Sequence, residues 1–205
     1  VAAAIALADA EGLAAVSIRR VAAELGARTM SLYTHIARKE DLLQLMVDEV
    51  AAEAVLPPGA LPAGWRAAIT MIVEQERAVA GRHPWLIELL RGEIRFGPNG
   101  LRHAEQTMVA LSGLGLGPAE TFRVAAAIDV YSAGRVIREE ADSRRDGATG
   151  GRRQAMLEPY FQRLLNSGEF PHLAPLLAAG GAAGEGAYDQ GLVWLLDGIE
   201  AQYGR

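Results

Sequence analysis

The sequence predicts an all-α protein in which an N-terminal three-helix domain with a helix-turn-helix precedes a larger helical domain. Three observations carry that expectation. Apolar residues recur at three- and four-residue spacing in stretch after stretch, while alternating β-branched runs are almost absent. The 23 Gly and 9 Pro in 205 residues cluster between those stretches and punctuate them. The chain is 50% apolar but only 6% aromatic, so it can bury a substantial core, and its many small residues suit closely packed helices better than a sheet.

Taken in order, Ala4 to Glu11 reads as the end of a first helix, with Ile5, Leu7 and Ala8 inward and Gly12 stopping it. The pattern is already helical at Val1, without an initiator Met or a cap, so further residues are expected before it. Ser17 suits an N-cap, and Ile18, Val21, Ala22 and Leu25 then repeat at helical spacing. Gly26 takes a left-handed conformation cheaply, so a tight turn is expected there. Thr29 is expected to cap a second helix with Met30, Tyr33 and Thr34 on one side and Leu32 and Ile36 on the other. Between Ser17 and Lys39 the cations Arg19, Arg20, Arg28, Arg38 and Lys39 meet one acid, Glu24, which leaves +4 in a chain of net charge −5. That local inversion suits a phosphate backbone, although pattern alone also allows a plain helical hairpin with a solvated charged face.

Lys39 to Ala54 forms a longer helix with Leu42, Leu43, Met46 and Val50 inward and Glu40 and Asp41 in its first turn, where the helix dipole favours them. Pro57, Pro58, Gly59 and Pro62 break the pattern, which sets a domain boundary near residue 56: a DNA-reading domain over 1–55 and a second domain over 56–205. Helices follow over Ala63 to Arg82, over Trp85 to Glu93, and from Leu101 to Leu111 after the reset at Gly97-Pro98-Asn99-Gly100. The run GLGLGP at 113–118 has neither a preceding strand nor phosphate-loop spacing, and reads as a helix end, a turn and a Pro opening the next helix. That next helix, Pro118 to about Ser143, is apolar on both sides, with Phe122, Ala125 and Val136 on one and Val124, Ile128 and Tyr131 on the other; such a helix is expected to be buried all round. Two polar, Gly-rich stretches, Asp142 to Arg153 and Ala178 to Ala187, read as mobile loops around a helix over Gln154 to Asn166 with Met156, Leu157, Phe161 and Leu164 inward. The last helix, Tyr188 to Tyr203, carries Gly191 and Gly198 seven apart, a spacing that admits a second helix closely.

Much chemistry is excluded. With no Cys there is no disulfide framework and no thiolate nucleophile or metal ligand. His35, His83, His103 and His172 have no zinc-binding spacing, and no G-x-S-x-G is present, so no metal, cofactor or catalytic set is expected. No apolar run approaches membrane-spanning length, and a cytoplasmic protein without membrane contact is the expectation. Asp129 shares a helix face with Phe122, Ala125 and Val136; buried there, it would need a core partner or a ligand.

Ser17-Ile18-Arg19-Arg20-Val21-Ala22-Ala23-Glu24-Leu25-Gly26, then Ser31-Leu32-Tyr33, His35 and Arg38-Lys39-Glu40-Asp41-Leu42-Leu43, resemble the DNA-binding domain of the TetR family of bacterial transcriptional regulators without a gap. Gly191 to Glu200 is more weakly similar to the last helix of the subgroup that contains the tetracycline repressor. The resemblance implies a homodimeric repressor of double-stranded DNA, released from a pseudopalindromic operator by a small, mainly apolar effector. Matched to the family motif, Arg28, Thr29, Met30 and Ser31 open the recognition helix near the bases, Tyr33, Thr34 and His35 follow, and Ser17, Arg19 and Lys39 lie toward the backbone. An effector cavity is expected among Ile72, Trp85, Leu89, Met108, Phe122, Tyr131 and Phe161, with His103, Gln106, Asp129 and Arg135 as its polar groups. The dimer is expected to form through the long and last helices, at Ile128, Leu192, Leu195, Gly198 and Ile199. Tetracycline-binding relatives hold a drug-bound metal through a histidine on the long helix; Asp129-Val130-Tyr131 stands there instead, so tetracycline and magnesium are not implied. Competing readings are an all-α enzyme with Asp129 or His103 as general base, and a helical adaptor for an acidic protein. Salt dependence on DNA distinguishes them.

Overall fold

The computed structural model describes residues 1–89, 97–146, 158–178 and 186–204. Among them all regular structure is helical: α1 Ala2–Glu11, α2 Ile18–Glu24, α3 Thr29–Tyr33, α4 Lys39–Ala54, α5 Trp65–Arg82, α6 Leu86–Leu89, α7 Pro98–Leu111, α8 Pro118–Asp146, α9 over 158–165, α10 Leu173–Ala178 and α11 Ala187–Tyr203. The expected continuation of α6 to Glu93, the start of α9 with Met156 and Leu157, and most of both Gly-rich stretches lie outside the described residues. None of the described helices is long and apolar enough to cross a membrane. By packing, the chain divides into Val1–Val136 with Gln202–Arg205, and Ile137–Ala201.

In the first unit, Ala4 and Leu7 of α1, Val21 of α2 and Leu42, Met46 and Val50 of α4 are buried in one cluster, with Leu32 and Ile36 packed against it. Burying each large side chain contributes about 1.5–3 kcal/mol, which holds three short helices that would be marginal alone. Leu25, expected on this inner stripe, is 57% exposed because it is the residue at which α2 ends. Gly26 follows at φ 62°, and the amides of Gly26 and Ala27 donate to the carbonyls of Ala23 and Ala22 at 3.1 and 2.9 Å. Those paired bonds satisfy carbonyls the helix end leaves open, and they turn the chain into α3.

The α4 helix also packs on α7 and α5. Asp48 on α4 accepts from the amides of Asn99 and Gly100, both at 3.0 Å, so a side chain from one helix caps the start of another. A Cβ on Gly97 would collide with that carboxyl. At the end of α4, Gln106 of α7 closes a pair of bonds with the backbone of Leu56, at 2.9 and 2.6 Å. On α8, Val124, Ile128 and Val136 are buried, but Phe122 is 72% and Val130 70% exposed. Among the described residues, therefore, the helix is not covered all round.

In the second unit, the Tyr188 hydroxyl donates to Asp142 at 3.0 Å, and Tyr160 and Phe161 of α9 pack edge to face. Leu192, Leu196 and Ile199 of α11 are buried, whereas Trp194 is 68% exposed.

Candidate nucleic-acid interface and effector cavity

The candidate reading surface is built by α2 and α3. Ser17 caps α2, its Oγ accepting from the Arg20 amide at 3.2 Å. The cap of α3 is Arg28 rather than the expected Thr29, which is the first helical residue; Arg28 is extended and makes no side-chain cap bond. Arg28, Met30, Ser31, Tyr33, Thr34 and His35 are all exposed, and Thr29 and Lys39 are half-buried. The Thr34 hydroxyl donates to the Ser31 carbonyl at 2.7 Å, which fixes its rotamer just beyond the helix.

The local positive charge is less uniform than its count implies. Arg20 lies 2.7 Å from Glu11 and 3.6 Å from Glu24, and Arg38 lies 3.5 Å from Asp41. Arg19, Arg28 and Lys39 have no acidic partner among the described residues, and these are the cations open to a phosphate.

Two hollows lie behind the reading head. One, of about 190 Å³, is walled by Val47, Val50, Ala51 and Ala54 of α4 on one side and by residues of α5, α6 and α8, including Leu89, on the other. The second, of about 270 Å³, lies among α5, α7 and α8, with Ile72, His103, Met108 and Phe122 in its lining. Glu76 and Asp129 line both. Asp129 is exposed, on the side of α8 that lines both hollows, rather than buried among apolar neighbours.

Other expected lining residues are placed elsewhere. Trp85 is 3% exposed in the reading-head core, its Nε1 donating to Asp9 at 2.7 Å, so it joins α1 to the start of α6. Gln106 is occupied by Leu56. Arg135 is buried and ion-paired to Glu74 at 2.9 Å, and neither it nor Tyr131 lines either hollow. Phe161 is half exposed on α9 of the second unit. Of the expected dimer contacts, Ile128, Leu192 and Ile199 are buried within the single chain, while Leu195 is half-buried and Gly198 exposed.

Glu76 is the most perturbed group in the lining. The Ser132 hydroxyl donates to it at 2.6 Å, and His103 Nε2 lies 3.3 Å away. Burial raises the Glu76 pKa above the usual carboxylate value, against the pull of His103 and Ser132 and with the Asp129 charge adding to the rise. The unfolded chain therefore ionises this group first, so its stabilising effect is complete below the ordinary carboxylate pKa and is lost as pH rises through the raised one. Glu76→Gln should accordingly gain stability over the wild type near neutral pH and not at pH about 4, as denaturant melts at the two values would show.

Sequence reasoning missed a joint around His83, which is buried beside two acids. Its Nδ1 lies 2.7 Å from Asp9 of α1 and its Nε2 3.2 Å from Glu53 of α4, while Arg82 lies 2.7 Å from Glu53. Arg82 holds the Glu53 pKa below its usual value, with His83 adding to the effect against burial. Acids in helices far apart in sequence gave no signal, because partners at such separations have no shared period.

Residues 1–46 match the family described as "Bacterial regulatory proteins, tetR family", and residues 57–203 match "Tetracyclin repressor-like, C-terminal domain". The chain is 35% identical over 202 residues to the HTH-type transcriptional repressor DrrR1 of Streptomyces coeruleorubidus, covering 97% of this chain and 74% of that one. It is 33% identical over 204 residues to an HTH-type transcriptional regulator of Saccharopolyspora erythraea, covering 100% and 84%. The solved structure of the Streptomyces coelicolor TetR family protein ActR in complex with actinorhodin matches at a TM-score of 0.80 and 28% identity, over 100% of this chain and 96% of that one. The exposed α2–α3 surface, its unpaired cations and these matches over both parts of the chain lead to one conclusion: it belongs to the TetR family of bacterial transcriptional regulators and is a DNA-binding protein.

Proposed function

We propose that the chain is a homodimeric repressor, with a reading head over 1–55 and an effector and dimerisation part over 56–205, that acts by binding rather than catalysis on DNA in the cytoplasm. The observation that carries the switch is the smaller hollow, because its wall is the inner face of α4 and the same helix begins at Lys39 beside the DNA surface. A ligand that fills the hollow presses on α4 and shifts the reading head. It releases DNA only to the extent that it binds the shifted state better. That ActR was solved with actinorhodin supports a small-molecule effector of this kind.

Two copies would place their α3 helices in successive major grooves, about 34 Å apart, and so read a pseudopalindrome. The exposed Val193 and Trp194 on α11, with Leu195 and Gly198, offer the apolar face for that dimer. A Cβ added at Gly198 would meet nothing within 4 Å among the described residues. Gly198→Leu should therefore leave the fold intact and disrupt the dimer, giving a monomer by light scattering; an unchanged dimer would move the interface elsewhere.

The DNA reading is tested by selecting an operator from random duplexes and titrating salt. Lys39→Ala should weaken every sequence alike and reduce the salt slope by about one unit. Thr29→Ala should alter sequence preference. Uniform loss in both variants with preference unchanged would overturn the assignment of α3 as the recognition helix.

A further inference from the structure

Neither hollow alone reaches the roughly 300–1,000 Å³ of a drug-sized site, although about 150 Å³ is enough for a benzene ring. A ligand larger than either hollow would reach the two carboxyl groups that line both, Glu76 and Asp129. The rest of the lining is apolar apart from Ser132, Thr107 and His103, and contains no Lys or Arg among the described residues. His103 adds an unspent polar atom: its Nε2 is buried and has no hydrogen bond, since the Glu76 oxygen 3.3 Å away is outside bonding geometry. Asp129 and Glu76 repel each other here, opposed only by His103 and by no Lys or Arg among the described lining residues, and a donor placed at this waist would relieve that repulsion.

We propose that the effector is a lipophilic amine, an apolar or aromatic body that occupies the hollows with its protonated nitrogen at the Glu76–Asp129 waist. This deepens the effector reading above and rests on it. The ammonium donates to the Asp129 and Glu76 carboxyls, while the apolar walls accept the body without selecting it strongly. Specificity for charge then comes from the waist and tolerance of shape from the walls.

The test compares naphthylmethylamine, naphthylmethanol and naphthoate by calorimetric titration of the full chain at low ionic strength. These probes share one ring system and differ in head-group charge. The amine should bind about tenfold more tightly than the alcohol, and the naphthoate most weakly. Asp129→Asn, at an exposed position where folding is not at risk, should bring the amine down to the level of the alcohol, and Glu76→Gln should narrow the difference in the same direction. Equal binding of amine and alcohol to the wild type, or a preference that survives both substitutions, would overturn the proposal and leave the cavity as a neutral effector site. Failure of all three probes to bind would overturn the effector reading itself, and the amine proposal with it.

Discussion

Asp9→Ala should cost about 3 kcal/mol and lower the melting temperature by about 6–12 °C. One oxygen of Asp9 accepts from both Trp85 Nε1 and His83 Nδ1, each at 2.7 Å. Both donors belong to buried residues, with Trp85 3% and His83 6% exposed, so neither can turn to water when the acceptor is removed. An unsatisfied buried donor costs about 1–3 kcal/mol, and here there are two. Asp9→Asn keeps an acceptor oxygen in place and should lose much less. Thermal melts of the two variants check this; an alanine variant as stable as the asparagine variant would mean that water reaches the joint.

Gly97→Ala should cost about 2 kcal/mol although it adds one methyl at a half-buried position. The Cβ would collide with the Asp48 carboxyl and push it off the amides of Asn99 and Gly100, which leaves the first turn of α7 uncapped. Losing a cap costs about 0.5–2 kcal/mol, and the displaced acid must find new partners. The control is Asp48→Ala, which loses the cap without the collision. If the double variant were no more destabilised than Asp48→Ala alone, the two effects would be one, as the geometry requires. Chemical denaturation of the three proteins measures the coupling.

The helices themselves were legible because their inner stripes repeat locally. Leu42, Met46 and Val50 declare the inner face of α4, and Gly26 declares the turn between α2 and α3. The exposed side of α2 and α3 was legible for the same reason, and a family motif covers it. Burial of α8 was misjudged because periodicity identifies an apolar face without saying whether this chain or another covers it, so Phe122 looked internal. The assignment of Trp85 failed for a related reason: a large aromatic ring on a short helix suits a cavity or a core, and the choice depended on Asp9, 76 residues away. One tertiary contact did leave a trace. The α7 helix has Gly97 at its N-cap, with no side chain of its own to accept from the first amides, and Asp48 supplies that acceptor from α4.

The α4 helix belongs to two cores at once. Its inner face contributes Leu42 and Met46 to the reading head, while Asp48, Glu53 and the Leu56 backbone are bonded to helices beyond it. Modularity in this protein is therefore a property of the sequence rather than of the packing. A chimera that grafts another regulator's head by joining the chains near residue 56 would carry in a foreign α4 and lose the cap on α7, the clasp at Gln106 and the contacts of Glu53 in a single cut. A graft joined within the preceding loop, so that α4 stays with the body it braces, preserves those bonds and moves the mismatch to the apolar contacts of Leu42 and Met46, where substitutions of similar volume are tolerated.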